Sequence, residues 1–159
     1  MKENELIPHT FADSGRTVMV RKVSSLLILE LQKAFPEPKP PTQEVEIAGV
    51  KRLEANPAHP DYQKALQAYQ LDLEMKIRKL LIKRGVVCDV PKDEVDDLRT
   101  FWREEFNQEL DPSDLLVYVS YLACTTDGDL QDLVEKITRR SQPTEAEIQA
   151  NIKSFRSEV

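Results

Sequence analysis

Four prolines within six residues constrain the fold of this chain more than any other feature. They occupy positions 36, 38, 40 and 41, directly after the apolar run SSLLILELQKAF. Because proline removes a backbone donor and pushes the preceding residue into extended geometry, a helix capped at Ser24 or Ser25 must end at Phe35. That helix is apolar on most sides, which predicts that it is buried. The prolines themselves predict a short polyproline-like spacer.

β-Structure is predicted on both sides of this helix. Residues 16–22 are rich in valine and follow the turn signal Asp13-Ser14-Gly15, which indicates a strand. Residues 43–53 alternate polar and apolar around Ala48-Gly49, which indicates a short hairpin with a positive φ angle at Gly49. Residues 86–90 fit either a connector or a further short strand.

The longest helical pattern runs from Asp61 to Arg84, and Gly85 is expected to follow its end as a C′-type glycine. Its length corresponds to about 36 Å. One apolar stripe recurs at steps of three and four residues: Tyr62, Leu66, Tyr69, Leu73, Ile77 and Leu80. A second apolar set lies off this stripe: Leu71, Met75 and Ile82. Either both faces pack inside the chain, or one face is kept for a partner.

Residues 85–159 are acidic and rich in helical patterns. They carry 8 Lys and Arg against 17 Asp and Glu, a balance of −9, whereas residues 1–84 carry 14 against 11, a balance of +3. An acidic half repels nucleic-acid phosphates, so nucleic acid is not an expected partner. Further helices are predicted after Pro91, after Asp111-Pro112-Ser113, from Asp129 and from Pro143.

Together these patterns predict an α+β fold that is mostly α. It contains a small N-terminal antiparallel β element (a strand plus a hairpin) and about six helices, with one long helix at about 61–84. The expected units are residues 1–86, which hold the hairpin and the long helix, and residues 87–159, which are acidic and helical. The alternative is that both pack as a single domain.

No catalytic, metal or cofactor site is predicted. Cys88 and Cys124 have no histidine nearby in sequence, whereas a thiol nucleophile needs an adjacent base. Asp127-Gly128-Asp129 begins like a calcium loop, but the ligands expected at later positions do not follow. The four glycines form no phosphate-binding loop. An enzyme is therefore not expected.

A membrane is not an expected location. No apolar run approaches the roughly 20 residues that a transmembrane helix needs. The N-terminal residues MKENELIPHTF lack the apolar centre of a signal peptide. We therefore expect a cytoplasmic protein.

Most of residues 16–157 resemble a known family. The segment VMVRKVSSLLILELQKAFPEPKPPTQEVEI is followed by an Asn-Pro…Asp-Tyr loop (Asn56, Pro57, Asp61, Tyr62) and by a long helix that contains QAYQ. Trp102 and the segment SQPTEAEI at 141–148 belong to the same pattern. These features are similar to the tail assembly chaperones of long-tailed, siphovirus-like bacteriophages. The shared features are prolines, apolar residues and aromatic residues rather than a catalytic signature.

The resemblance implies a non-enzymatic protein of the host cytoplasm that is absent from the mature virion. Its partner would be the tape-measure protein, a long, apolar, helical client. The chaperone would bind this client and keep it soluble until tail-tube subunits polymerise around it. The tail-tube protein and a second copy of this chain are further candidate partners. The resemblance implies no cofactor, no nucleic acid and no membrane.

Large apolar side chains are the candidate contacts for such a client, through binding of a helix in a groove. On the long helix they are Tyr62, Tyr69, Leu71, Leu73, Met75 and Ile77, and in the acidic half they are Phe101, Trp102 and Phe106. For each of them, packing in the core is the alternative.

Two other functions remain open. A small structural subunit of the phage tail or connector would use the hairpin and the N-terminus for contacts between subunits. A regulatory adaptor would act through PEPKPP, because SH3-type grooves bind segments with Pro-x-x-Pro spacing.

Overall fold

The computed structural model describes residues 5–141, Gln149, Ile152 and Lys153. Along the chain the elements are β1 (Ile7–Thr10), β2 (Thr17–Val20), α1 (Ser25–Ala34), β3 (Thr42–Ile47), β4 (Val50–Ala55), α2 (Pro60–Gly85), β5 (Val86–Val87), α3 (Lys92–Phe106), α4 (Asp114–Val117, continued by π-helical turns over Tyr118–Ala123) and α5 (Asp127–Ser141). The fold class is α+β and mostly helical, as predicted. The helix predicted from Pro143 lies outside the described residues.

The described strands form two separate antiparallel sheets. β1, β2 and β5 form one sheet with β2 in the middle. β2 confirms the strand predicted at 16–22, and β5 shows that residues 86–90 include a short strand. β3 and β4 form the predicted hairpin, in which Ile47 lies opposite Val50. Ala48 and Gly49 have φ angles of 53° and 78°, as a type I′ turn requires at both central positions.

β1 has no counterpart among the predicted strands. Its four residues, IPHT, include Pro8, and a proline argues against a strand in the interior of a sheet. Among the described strands, however, β1 neighbours β2 alone and is therefore an edge strand. An edge strand tolerates proline, since one side of its backbone forms no ladder.

Contacts divide the chain into two compact units. The first unit comprises the described residues up to Leu27 and those from Lys79 onward, and the second unit comprises Ile28–Arg78. This grouping differs from the expected units 1–86 and 87–159. One reason is that β5 pairs with β2, with Val87 opposite Met19, so that the sheet of the first unit includes residues on both sides of position 86.

The core of the protein lies in the first unit. Val18 and Val20 of β2 are buried, and so is Val86, which lies opposite Val20 on β5. The helical residues of this unit add further buried side chains, among them Leu81, Ile82, Val95, Val117, Leu133 and Ile137. In the second unit, by contrast, no residue from Ile28 to Arg78 is buried.

The expectation that α1 is buried is wrong. None of its residues is buried, and Leu26 and Leu29 are exposed. Most of this helix, Ile28–Ala34, belongs to the second unit. That unit buries none of its own side chains, so its described residues do not supply the apolar surface that would cover the helix.

α2 confirms the long helix predicted at 61–84 and extends it by one residue at each end. Among the described residues, no helix is both long and apolar enough to cross a membrane. Gly85 is the last residue of α2 rather than the C′ residue beyond it, and it is buried. A Cβ atom at this position would lie 2.8 Å from Ile137 Cγ2 and 3.1 Å from Val23 Cγ2. The glycine is therefore required by close packing.

We predict that Gly85→Ala lowers the free energy of unfolding by about 1–3 kcal/mol, because the added methyl group overpacks the contact with α5. Gly128→Ala is the matched control, since a Cβ atom there would meet nothing closer than 3.8 Å. Urea denaturation followed by circular dichroism measures both. Equal stability of the two variants would contradict the close-packing role of Gly85.

A second prediction concerns the turn of the hairpin. Alanine pays a steric cost of about 1–2 kcal/mol in left-handed geometry, and asparagine tolerates it better. Ala48→Asn should therefore increase the protection of the β3 and β4 amides from hydrogen exchange, whereas Ala48→Val should reduce it. If both substitutions changed the protection in the same direction, the turn would not have type I′ geometry.

Candidate protein-binding surface

Four aromatic side chains form a contiguous cluster in the first unit. α3 supplies Phe101, Trp102 and Phe106, and the π-helical turns after α4 supply Tyr121. The Trp102 ring centroid lies 4.8 Å from that of Phe106 and 5.7 Å from that of Tyr121, and the Phe101 and Phe106 centroids are 6.2 Å apart. We call these four residues the aromatic cluster. Three of its members are exposed, with Phe101 at 51% and Phe106 at 53%.

Local structure explains why these rings meet. Trp102 and Phe106 are four residues apart on a helix, where side chains share one face. α3 ends directly after Phe106, because Asn107 adopts left-handed geometry and its N–H bonds to the Arg103 carbonyl. Arg99 on α3 bonds to Asp114 at the start of α4, at 2.8 Å. This bond ties α3 to the segment that presents Tyr121.

A shallow depression adjoins the aromatic cluster. It has a volume of about 410 Å³ and is lined by Ser120, Tyr121, Cys124, Thr125, Thr126 and Asp127. Tyr121 belongs both to this lining and to the cluster. The other lining residues are mostly hydroxyl-bearing or acidic, so the depression offers hydrogen-bonding groups next to the aromatic rings.

Exposed acidic side chains lie next to the cluster residues along α3. Glu104 and Glu105 are exposed on α3 and make no ion pair within the described part of the chain. The Arg103 guanidinium hydrogen-bonds to Glu109 at 2.7 Å and lowers the pKa of that carboxyl, so it stays ionised. Glu109 is thereby neutralised, whereas Glu104 and Glu105, which we call the acidic rim, favour a partner that carries basic residues beside its apolar ones.

The structure separates the predicted contact residues into two groups. Phe101, Trp102 and Phe106 come together, whereas the six candidates on α2 belong to the second unit. No sequence signal places Tyr121 beside Trp102, because the two residues lie on different helical segments.

Among the α2 candidates, Leu71 and Met75 are the most exposed, at 64% and 56%. They are four residues apart and therefore share one face of the helix. Ile82, which belongs to the same predicted apolar set, is instead buried in the core of the first unit. The set is thus divided, and only its part within the second unit is available to a partner.

The remaining α2 candidates are half-buried: Tyr62, Tyr69, Leu73 and Ile77. Tyr69 has a defined internal contact, because its hydroxyl donates to the Phe35 carbonyl at 2.7 Å. The Lys76 ammonium lies 4.2 Å from the centroid of the Phe35 ring, which is a cation–π distance. Tyr69 therefore helps to hold the end of α1 against α2.

Among the described residues of the first unit, the titratable groups show no arrangement for nucleophilic chemistry. Burial raises the pKa of the Cys124 thiol to about 12, so the thiolate is scarce at neutral pH. Burial also raises the pKa of Cys88 and lowers the pKa of His9. No group of three or more metal-binding side chains occurs among the described residues.

Comparison of the chain with protein-family models, with curated proteins and with solved structures gives no match.

We predict that Phe101→Ser changes the free energy of unfolding by less than about 1 kcal/mol, because the ring is half exposed and loses mainly one aromatic contact. Val95→Ala on the same helix should cost about 2 kcal/mol or more, because Val95 is fully buried. Urea denaturation measures both variants. A Phe101→Ser variant as unstable as Val95→Ala would assign the cluster to the core.

Proposed function

We propose that this chain is a tail assembly chaperone of a long-tailed bacteriophage, which binds the tape-measure protein and keeps it soluble in the host cytoplasm before the tail tube polymerises. The aromatic cluster is the observation that carries the proposal. Large aromatic side chains dominate the energetics of protein interfaces, and here they lie in mutual contact at the surface. The identity of the client as the tape-measure protein is what the resemblance to the chaperone family implies.

The mechanism follows from the chemistry of that client. An amphipathic helix would place its apolar side chains on the aromatic cluster and polar side chains in the depression beside Tyr121. The acidic rim would attract Lys and Arg residues of the client and would keep the complex soluble. The exposed pair Leu71 and Met75 offers a second contact region. Two weak contacts to one long chain give a higher overall affinity than either alone.

Co-expression with the product of the longest open reading frame just downstream tests this function. We expect the apolar product to be soluble and to co-purify with the chain. The double variant Phe101→Ser and Phe106→Ser should lose at least about tenfold in affinity, since interface aromatics each contribute on the order of 1–2 kcal/mol or more.

The matched control for this experiment is Leu26→Ser, which removes an exposed apolar side chain outside the aromatic cluster. It should leave co-purification unchanged. A client that stays insoluble with the unmodified chain would contradict the proposed function. A client that binds the double variant as tightly as the unmodified chain would remove the aromatic cluster from the mechanism.

A small structural subunit of the phage tail or connector is the second candidate function. One observation favours it: the β3–β4 hairpin pairs with no other strand in the described part of the chain, and free strand edges form contacts between subunits. The protein content of purified phage particles distinguishes the two functions. A chaperone is absent from finished tails, whereas a structural subunit is present in a fixed copy number.

A further inference from the structure

The β3–β4 hairpin has two open edges. Its sheet contains no third strand among the described residues, and every residue of β4 is exposed. Leu53, in the middle of β4, is 74% exposed. A two-stranded ribbon is at best marginally stable alone, and its unpaired N–H and C=O groups are a template for another strand. The hairpin would therefore gain stability from a further strand.

The hydrogen bonds of the hairpin determine which backbone groups of β4 face the open edge. Ile47 and Val50 pair directly across the two-residue turn, and the Asn56 N–H bonds to the Pro41 carbonyl at 2.7 Å. Backbone groups alternate in direction along an antiparallel strand. The residues whose N–H and C=O groups face β3 are therefore Val50, Arg52 and Glu54. Those whose groups face the open edge are Lys51, Leu53 and Ala55.

A second copy of β4 can complete this edge. Two identical antiparallel strands related by a two-fold axis normal to the sheet keep each side chain on the same face. With the axis at Leu53, the outward-facing residues pair with one another: Leu53 lies opposite Leu53 of the second copy, and Lys51 lies opposite Ala55. Every outward N–H and C=O group in this overlap then has a partner.

The charges of β4 favour this register. It places Arg52 of each copy opposite Glu54 of the other, as a pair without backbone hydrogen bonds, where side chains approach most closely. Within the hairpin their cross-strand neighbours are Val45 and Gln43, which are uncharged. Neither Arg52 nor Glu54 makes an ion pair with a described residue. Lys51, by contrast, already pairs with Glu44 at 3.7 Å.

The competing arrangements bring like charges together. An axis at Arg52 would place the two Arg52 side chains opposite each other. Along the β3 edge, axes at residues 44, 45 or 46 would place Glu44 or Glu46 opposite a glutamate. Like charges directly opposite on neighbouring strands are destabilising.

We propose that two copies of this chain associate through antiparallel pairing of their β4 strands, centred on Leu53, to form a four-stranded sheet in the order β3-β4-β4-β3. The pairing covers the Leu53 side chains with each other and neutralises Arg52 and Glu54 in two symmetric pairs. This proposal is independent of the client and of the chaperone function.

Charge exchange tests the register. Sedimentation equilibrium should give twice the chain mass for the unmodified protein. Arg52→Glu or Glu54→Arg alone turns two attractive pairs into two repulsive ones, so each should raise the dimer dissociation constant by about tenfold to a hundredfold. The double variant Arg52→Glu and Glu54→Arg exchanges the charges and should restore the dissociation constant to within about threefold of the original. Lys39→Glu and Glu37→Arg make the same changes of net charge in the spacer and should have no effect.

Leu53→Pro provides a second test. The Leu53 N–H faces the open edge, so proline at this position in both copies removes the two hydrogen bonds that join the Leu53 residues across the dimer and none within the hairpin. We expect a monomer in which the amides that bond β3 to β4 exchange at the same rate as in the unmodified protein at concentrations where it is monomeric. A monomeric unmodified protein, a dimer that survives Leu53→Pro, or a double charge variant that stays dissociated would each overturn the proposal. Open-ended polymers would also overturn it, because they indicate pairing of β3 with β4 from copy to copy.

Discussion

Arg21 stabilises the junction between the end of α2 and β5 in the first unit. Its backbone N–H donates to the Gly85 carbonyl at 2.8 Å, and its side-chain Nε donates to the Arg84 carbonyl at 2.6 Å. The last carbonyls of a helix have no partner within the helix, so Arg21 satisfies two of them at the end of α2 and places a positive charge at the negative end of its dipole. β5 begins at the next residue and pairs with β2. The first unit thereby closes on residues that are distant in sequence.

This closure determines which apolar residues of the chain are buried and which are exposed. The buried side chains belong to the segments on either side of Ile28–Arg78, and the close contact of Gly85 with Val23 and Ile137 lies where those segments meet. The intervening second unit buries nothing. A segment with a long helix and a hairpin but no buried residue gains little stability from its own packing. Its exposed apolar residues are therefore available for partners, as the proposals for Leu71, Met75 and Leu53 require.

Sequence patterns predicted the structure correctly where interactions among neighbouring residues determine it. The prolines after Phe35, the periodicity of α2 and the Ala48-Gly49 turn each act over a few residues, and each predicts its element closely. The patterns failed where tertiary packing decides. Ile82 and Met75 have similar apolar character on one helix, yet one is buried and the other exposed, because only the last turns of α2 belong to the first unit. The same limit applies to α1, whose composition predicts burial, and to Tyr121, whose place in the aromatic cluster depends on the packing of two helices.

Hydrogen–deuterium exchange most directly tests whether the stable core is confined to the first unit and whether the second unit, which has no core of its own, provides a contact region for the client. Mass spectrometry would follow peptides from both units at low protein concentration, first alone and then with the client. We expect slow exchange in β2, α4 and α5 throughout. Across residues 28–78 we expect fast exchange in the free chain and a marked slowing in the complex. Protection of residues 28–78 equal to that of β2 in the free monomer, with no change on addition of the client, would show that the second unit has a core of its own and does not bind the client.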